Sequence, residues 1–428
     1  MPARAFDFDY LVIGSGFGGS VSALRLAEKG YSVAVVERGK RWRSEDFPKT
    51  NWNLRKFLWA PKFRCFGIQA LTFLRDVMIL HGCGVGGGSL VYANTHLVPP
   101  DEVFRDPRWR LLGDWKVDLA PHYATAKRMM GVTTARCQSE TDHLLHEIAQ
   151  EMGRGETYHA TDVAVFFGEP GKTVPDPYFG GTGPERAGCT LCGGCMVGCR
   201  HNAKNTLDKN YLYFAEQRGV EIITETEVRQ IRELPNEGYE LDTVRVTDLL
   251  FKRRRTIRCR GIVAAGGVLG TVPLLNPIGW AKRSGILLVM QSLPNHMSLE
   301  LRRRWYWPFG KRVSSKWNST EKVPKYIPVA NAVAKRLASK MNGDASGTIP
   351  EAIFNLSTTA HILGGCPMGK DKHDGVIDNY GRLFGYQNFY VADGSIIPVN
   401  LSVNPSLTIL ALSEWIMSHV PPSDEPIP

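Results

Sequence analysis

The sequence predicts an α/β fold in which a nucleotide-binding domain is assembled from separated stretches of chain, with an α+β domain carrying a mixed or antiparallel sheet inserted between them. Three observations predict it. A glycine fingerprint sits between a strand and a helix at the start, a second glycine-dense segment follows near residue 84, and a strong helix signal closes the chain.

The opening reads D-F-D-Y-L-V-I and runs straight into G-S-G-F-G-G, so Gly14, Gly16 and Gly19 occupy G-x-G-x-x-G, with Ser15, Phe17 and Gly18 between them. A helical pattern runs from Phe17 to about Lys29, Gly30 closes it, and S-V-A-V-V supplies a second strand ending at Glu37. In this βαβ pattern the first glycine permits the tight turn, the second lets the backbone approach a pyrophosphate, and the third lets helix and strand pack closely. The helix N-terminus offers N–H groups and a positive dipole end to phosphate. Glu37 lies 23 residues beyond Gly14, about where an acid takes a ribose hydroxyl.

Residues 78–98 hold the second segment, H-G-C-G-V-G-G-G-S-L-V-Y-A-N-T. Glycine is costly in ordered structure without a reason, so this density points to backbone meeting a ligand. Residues 101–187 mix short helices and loops; a cysteine cluster follows at 189–199, then a helix from Lys204 to Gln217. The stretch from V-E-I-I-T-E-T-E-V to G-I-V-A-A-G-G reads as sheet returning to the nucleotide fold. N-P-S-L-T-I-L-A-L-S-E-W-I predicts the last helix, with Asn404 as N-cap and Pro405 in the first helical position. The expected organisation is 1–100, 188–275 and 374–428 for the nucleotide domain, and 101–187 and 276–373 for the inserted one.

At 428 residues, 43% hydrophobic and 22% charged, the chain has a globular composition and the length to bury a large core. Net charge is +10, yet no nucleic-acid motif accompanies it, so anionic cofactors or membrane-derived substrates account for it as well. No secretory leader pattern and no apolar run of membrane-spanning length is present, and the cytoplasm is the expected compartment. Nine cysteines, four of them packed together, suggest thiols or metal ligands rather than a secreted disulfide framework. Cys189, Cys192, Cys195 and Cys199 give C-x2-C-x2-C-x3-C, a ferredoxin-type spacing. An iron–sulfur centre, a zinc site and a reduced, buried turn all remain open.

The glycine fingerprint, G-C-G-V-G-G-G-S-L-V, A-K-N-T-L-D-K-N-Y-L, A-A-G-G-V-L-G-T, H-I-L-G-G-C-P-M-G, V-A-D-G-S-I-I-P and N-P-S-L-T-I together resemble the glucose-methanol-choline (GMC) flavin oxidoreductases, and within them the bacterial cholesterol oxidase-like branch. The likeness spans nearly the whole chain. It implies a Rossmann-like FAD-binding domain, with Gly14, Ser15, Gly16, Phe17, Gly18, Gly19, Glu37 and Arg38 on the adenosine diphosphate half. Gly84, Gly86, Gly87 and Ser89 would pass close to flavin and pyrophosphate, Val228 would contact adenine through its backbone, and Ala265 and Gly266 would lie beside the cofactor. Asp393 and Gly394 would take the ribityl-phosphate region, and Asn404, Pro405 and Ser406 would present a helix N-terminus to the flavin's pyrimidine side. His361 would be the base that takes the alcohol proton, with Asn404 orienting the alcohol. Taken alone, Cys189, Cys195 and Cys199 are similar to the cluster ligands of some FAD-dependent sugar dehydrogenases of this superfamily.

The implied activity is oxidation of a sterol or other apolar alcohol to ketone or aldehyde, with dioxygen or another compound as electron acceptor. Its rivals are a dehydrogenase passing electrons through an iron–sulfur cluster to a non-oxygen acceptor, and a flavin-binding remnant of low activity. Only 89 residues separate Thr271 from His361, fewer than the branch carries, so part of the substrate domain is expected to be missing. Glu351 is the nearest candidate for the acid that the family's cholesterol oxidases draw from this domain. The segment R-R-R-W-Y-W-P-F-G-K-R, residues 302–312, reads as a hairpin with a solvated basic rim or as a surface for transient membrane contact.

Overall fold

The computed structural model describes residues 6–75, 77–110, 112–235, 237–248, 251–275, 297–304, 307–317, 328–343 and 357–424. The chain opens with β1 (Phe8–Ile13), α1 (Phe17–Glu28) and β2 (Val33–Val36). A hairpin of β3 (Gln69–Phe73) and β4 (Val77–Gly82) leads into the second glycine segment. Helices α2 (Ala120–Met129) and α3 (Glu140–Glu151) follow, then α4 (Tyr211–Gln217). Next come β5 (Glu221–Ile223), β6 (Thr226–Glu233), β7 (Tyr239–Arg245), β8 (Arg254–Ala264) and α5 (Val268–Leu275). The remainder comprises β9 (Met297–Arg304), β10 (Trp307–Trp317), α6 (Pro328–Lys340), β11 (Ser357–Thr359), β12 (Phe389–Val391) and α7 (Ser406–Ser418).

The main sheet runs β5–β2–β1–β8–β7–β6, with β12 beside β8. Strand β8 shows how sequence pattern selects pairing. Its first half, R-R-T-I-R-C, alternates in burial and pairs antiparallel with β7. Its second half, G-I-V-A, is buried throughout and lies between parallel partners, β1 on one side and β12 on the other. Continuous apolar runs are what a strand covered on both faces requires. Chain from the far C-terminus thus completes the sheet begun at residue 8, as the discontinuous reading expects.

Helix α7 packs on α1 and α2, and an ionic interlock fastens it. Arg25 of α1 donates from Nε and a terminal nitrogen to the two Glu414 oxygens at 2.7 and 2.8 Å, and the Tyr211 hydroxyl donates to Glu414 Oε1 at 2.8 Å. Glu414 is buried, so Glu414→Ala strands the guanidinium and the phenol; a cost of about 3 kcal/mol is expected, read as a lowered thermal midpoint.

Strand β11 pairs parallel with β4, so the chain entering His361 lies along the strand that enters the second glycine segment. β9 and β10 pair antiparallel with Arg302 opposite Arg312, the strand pairing a hairpin reading expects of these two strands. In α6, Lys340 reaches Glu147 and Glu151 of α3 at 2.9 Å each, linking the two inserted stretches. Glu351 lies outside the described residues. Among the described residues, no helix is long and apolar enough to cross a membrane.

Candidate active site and cofactor cradle

The first glycine turn is fixed by contacts at van der Waals limits. A Cβ on Gly18 would stand 1.5 Å from the Ala392 carbonyl oxygen, and one on Gly19 would stand 1.9 Å from the Gly14 oxygen. At Gly16 a Cβ would meet nothing within 4 Å. Gly18 and Gly19 therefore serve packing, while Gly16 faces open space at the head of α1. No side chain caps α1 and no acid stands in its first turn, so its N-terminal amides suit an anion. Glu37 braces the turn from behind: Oε2 accepts from the Ser15 N–H at 3.2 Å and the Ser15 hydroxyl at 2.7 Å, and Oε1 accepts from the Gly39 N–H at 2.8 Å.

The second glycine segment meets the first directly. A Cβ on Gly87 would lie 2.7 Å from the Gly16 Cα, and the Phe17 ring packs edge-on against Tyr92 at 5.5 Å. Gly84 and Gly86 adopt positive φ values of 139° and 101°. Ser89, fully buried, donates to the Gly86 carbonyl at 2.7 Å and accepts the Leu207 N–H at 3.1 Å. Arg38 lies 3.2 Å from His81 Nδ1, and His81 Nε2 lies 3.0 Å from the Thr72 hydroxyl. Burial and the adjacent guanidinium pull His81 down to about 3, so it is a neutral ring with both nitrogens engaged. Val228 is buried in β6, beside an irregularity in its register with β7.

The third wall comes from β8 and the C-terminal return. Ala265 N–H donates to the Ile13 carbonyl at 2.9 Å, and Gly266 N–H to the Thr271 hydroxyl at 3.1 Å. Asp393 Oδ2 accepts from the Gly267 N–H at 2.8 Å and from the Thr271 hydroxyl at 2.5 Å, while Oδ1 takes the Ser395 N–H at 2.8 Å. Burial pushes the Asp393 carboxyl up. Gly364 N–H donates to the Gly394 carbonyl at 3.0 Å and Cys366 N–H to the Ser395 carbonyl at 2.9 Å, which zips H-I-L-G-G-C to A-D-G-S.

These elements bring His361 and Asn404 together. His361 leaves β11 with its N–H on the Thr359 hydroxyl at 3.1 Å, and its Nε2 lies 3.2 Å from Asn404 Nδ2. An amide nitrogen only donates, so Nε2 accepts and the ring carries its proton on Nδ1. Burial holds His361 below its ordinary 6.5 and therefore neutral at pH 7. The expected cap is corrected here. The last helix begins at Ser406 with Pro405 at the cap position, and no side chain caps it. Asn404 turns away from the helix to meet His361, and the Ser406 hydroxyl donates to the Thr95 carbonyl at 3.1 Å.

The cysteines differ from the ligand set expected of them. All nine are free thiols, and among the described residues no three His, Cys, Asp or Glu side chains are grouped to hold a metal ion. Leu191 N–H donates to Cys189 Sγ and Ala203 N–H to Cys199 Sγ, each at 3.4 Å. Lys204, Arg186 and Thr271 were missed as supporting residues. A-K-N-T-L-D-K-N-Y-L signalled the first only as a shared string.

Family models match three stretches of the chain. One described as GMC oxidoreductase matches residues 184–298, its C-terminal counterpart, also described as GMC oxidoreductase, matches 316–413, and an FAD binding domain matches 9–50. A cholesterol oxidase from Acinetobacter baumannii is 39% identical over 534 positions, covering 98% of this chain and 96% of the relative. The chain belongs to the GMC oxidoreductase family. A cholesterol oxidase from Mycobacterium tuberculosis is 40% identical over 539 positions, covering 98% of this chain and 92% of the relative. The crystal structure of pyridoxine 4-oxidase from Mesorbium loti superposes with a TM-score of 0.60 at 16% identity, covering 96% of this chain and 98% of its own, which supports the fold. This GMC oxidoreductase is thus an FAD-dependent enzyme acting on CH–OH donors. Alignments of 534 and 539 positions exceed the 428 residues present, so the relatives carry sequence with no counterpart here.

Proposed function

We propose that the enzyme oxidises an apolar secondary alcohol of the sterol class to the ketone, with dioxygen reduced to hydrogen peroxide. The observation that carries the reading is the His361–Asn404 pair, an acceptor nitrogen and an amide 3.2 Å apart at the head of a buried 13-residue helix. FAD, when bound, accepts the hydride that leaves the carbinol carbon. His361 Nε2 takes the hydroxyl proton, and Asn404 holds the oxygen by its amide. The amino end of α7 supplies positive potential where negative charge gathers.

The sterol class is supported by the cholesterol oxidases at 39 and 40% identity, and dioxygen by the same relatives, which are named oxidases. Exposed apolar side chains in residues 52–73, Trp52, Leu54, Phe63 and Phe73, offer a surface for meeting an alcohol held in lipid.

The test is the flavin band. Cholesterol added without air should bleach it, and air should restore it with one peroxide per ketone. A band unchanged by cholesterol and by a panel of long-chain and steroid alcohols would reject the proposal. The pH dependence follows from His361. Its neutral form is the base, so the bleaching rate should fall as pH drops, with its acid midpoint below 6.5.

A further inference from the structure

Residues 189–204 form a pocket of their own, lined by Cys189, Cys192, Cys195 and Cys199 with His201 and Lys204. Cys192 is exposed and the other three cysteines are half-buried. Two buried cations stand against it. Lys204 is 2% exposed and donates to the carbonyls of Leu90, Tyr92 and Cys195 at 3.1, 2.9 and 2.9 Å. Arg186 is 1% exposed and donates to Asn202 Oδ1 at 3.1 Å, the Lys204 carbonyl at 2.8 Å and Asn205 Oδ1 at 2.6 Å, while its Nε has no partner.

Every one of these acceptors is neutral. Among the described residues neither basic group forms an ion pair with a carboxylate; burial pulls Arg186 down and Lys204 down to about 7. Asp208 is within electrostatic reach of both, but it is engaged by Lys209 at 3.1 Å and the Thr206 hydroxyl at 2.5 Å. Sulfur is the other neighbour: Cys199 is within reach of both cations and Cys195 of Lys204. Cys192, the exposed member of the four, is the sulfur a solvent-borne oxidant meets first, with Cys195 two glycines away.

The spacing supplies the second half of the argument. Cys192-Gly193-Gly194-Cys195 is a C-x-x-C pair joined by two glycines. A Cβ on Gly193 would meet nothing within 4 Å, and the nearest atom to one on Gly194 is Cys192 Sγ itself, at 3.5 Å. Neither glycine puts a side chain between the two cysteines. We propose that Cys192 and Cys195 form a peroxide-reactive dithiol, a modification site separate from the flavin site. The Cys192 sulfur attacks one oxygen of hydrogen peroxide, the O–O bond breaks, and the departing oxygen leaves as water with the thiol proton. The Cys195 sulfur then displaces the sulfenic oxygen, which leaves as a second water with the Cys195 proton. Two thiols are oxidised to one disulfide, and one peroxide is reduced to two waters.

The holoenzyme provides its own control in Cys137, an exposed cysteine outside this pocket. Brief treatment with hydrogen peroxide, alkylation and peptide mass spectrometry should find the Cys192–Cys195 disulfide forming at least about tenfold faster than Cys137 is oxidised. Dithiothreitol should reverse it. In Cys195→Ser, dimedone should trap sulfenic acid at Cys192. Equal reactivity of Cys192 and Cys137, or the two pocket cysteines staying separately alkylated after peroxide, would overturn the proposal. The readout is thiol chemistry with added peroxide, so it stands or falls apart from the choice of alcohol.

Discussion

His361→Gln is expected to slow flavin bleaching by alcohol about 10²–10⁴-fold while leaving the flavin bound. Glutamine keeps a polar group beside Asn404 but offers no nitrogen lone pair to take a proton. The backbone keeps its own contacts: the His361 N–H reaches the Thr359 hydroxyl, and the motif is held by backbone bonds from Gly364 and Cys366. Stopped-flow absorbance under nitrogen measures the rate, and the visible spectrum of the purified variant reports the flavin. The loss should shrink as pH falls, because the wild-type imidazole is then protonated and equally unable to accept. A variant that bleaches at the wild-type rate would remove His361 from the chemistry.

The second large effect separates two glycines that stand two residues apart. Gly16→Ala should give a folded protein with FAD affinity lowered at least tenfold, because the new methyl enters the open side of the turn where the pyrophosphate approaches. Gly18→Ala should damage the fold itself. Its methyl would lie 1.5 Å from the Ala392 oxygen, backbone that cannot rotate away, and about 1–3 kcal/mol or more of overpacking follows. Circular dichroism and thermal melting of the two apoproteins, with FAD titration by fluorescence quenching, distinguish them. Equal melting temperatures and equal loss of affinity would show that the division of labour between packing and binding is wrong.

How much was legible in the sequence depended on whether a residue's job is local. The βαβ start and the return of the G-I-V-A-A-G-G strand to the nucleotide fold leave period or composition marks along a short stretch, and both were readable, whereas the pairing switch within β8 shows only once its partners are in place. Asn404 was half readable. Asparagine before proline is a good cap by local rules, and only the approach of β11 to β4 supplies the histidine that claims its side chain instead. Asp393 shows the same limit. Its place near the cofactor came from the V-A-D-G-S-I-I-P string, whereas its carboxylate is spent on Ser395 within that string and on Gly267 and Thr271 far outside it. The cysteine spacing pointed to metal because ligand motifs are linear; whether four sulfurs converge is a property of the turn, and here they line a pocket without converging.

The interlock of Arg25 with Glu414, and the pairing of Phe389–Val391 with Ile262–Ala264, carry a consequence for biosynthesis. During translation the glycine turn emerges early, yet Ala392, which presses on Gly18, and the helix that follows Asn404 emerge much later. Nascent chains generally acquire structure from the leading end, but this one cannot complete the packing around its first glycine turn that way. Until residues 389–418 are made, the β8 edge that β12 covers is a natural client for a chaperone.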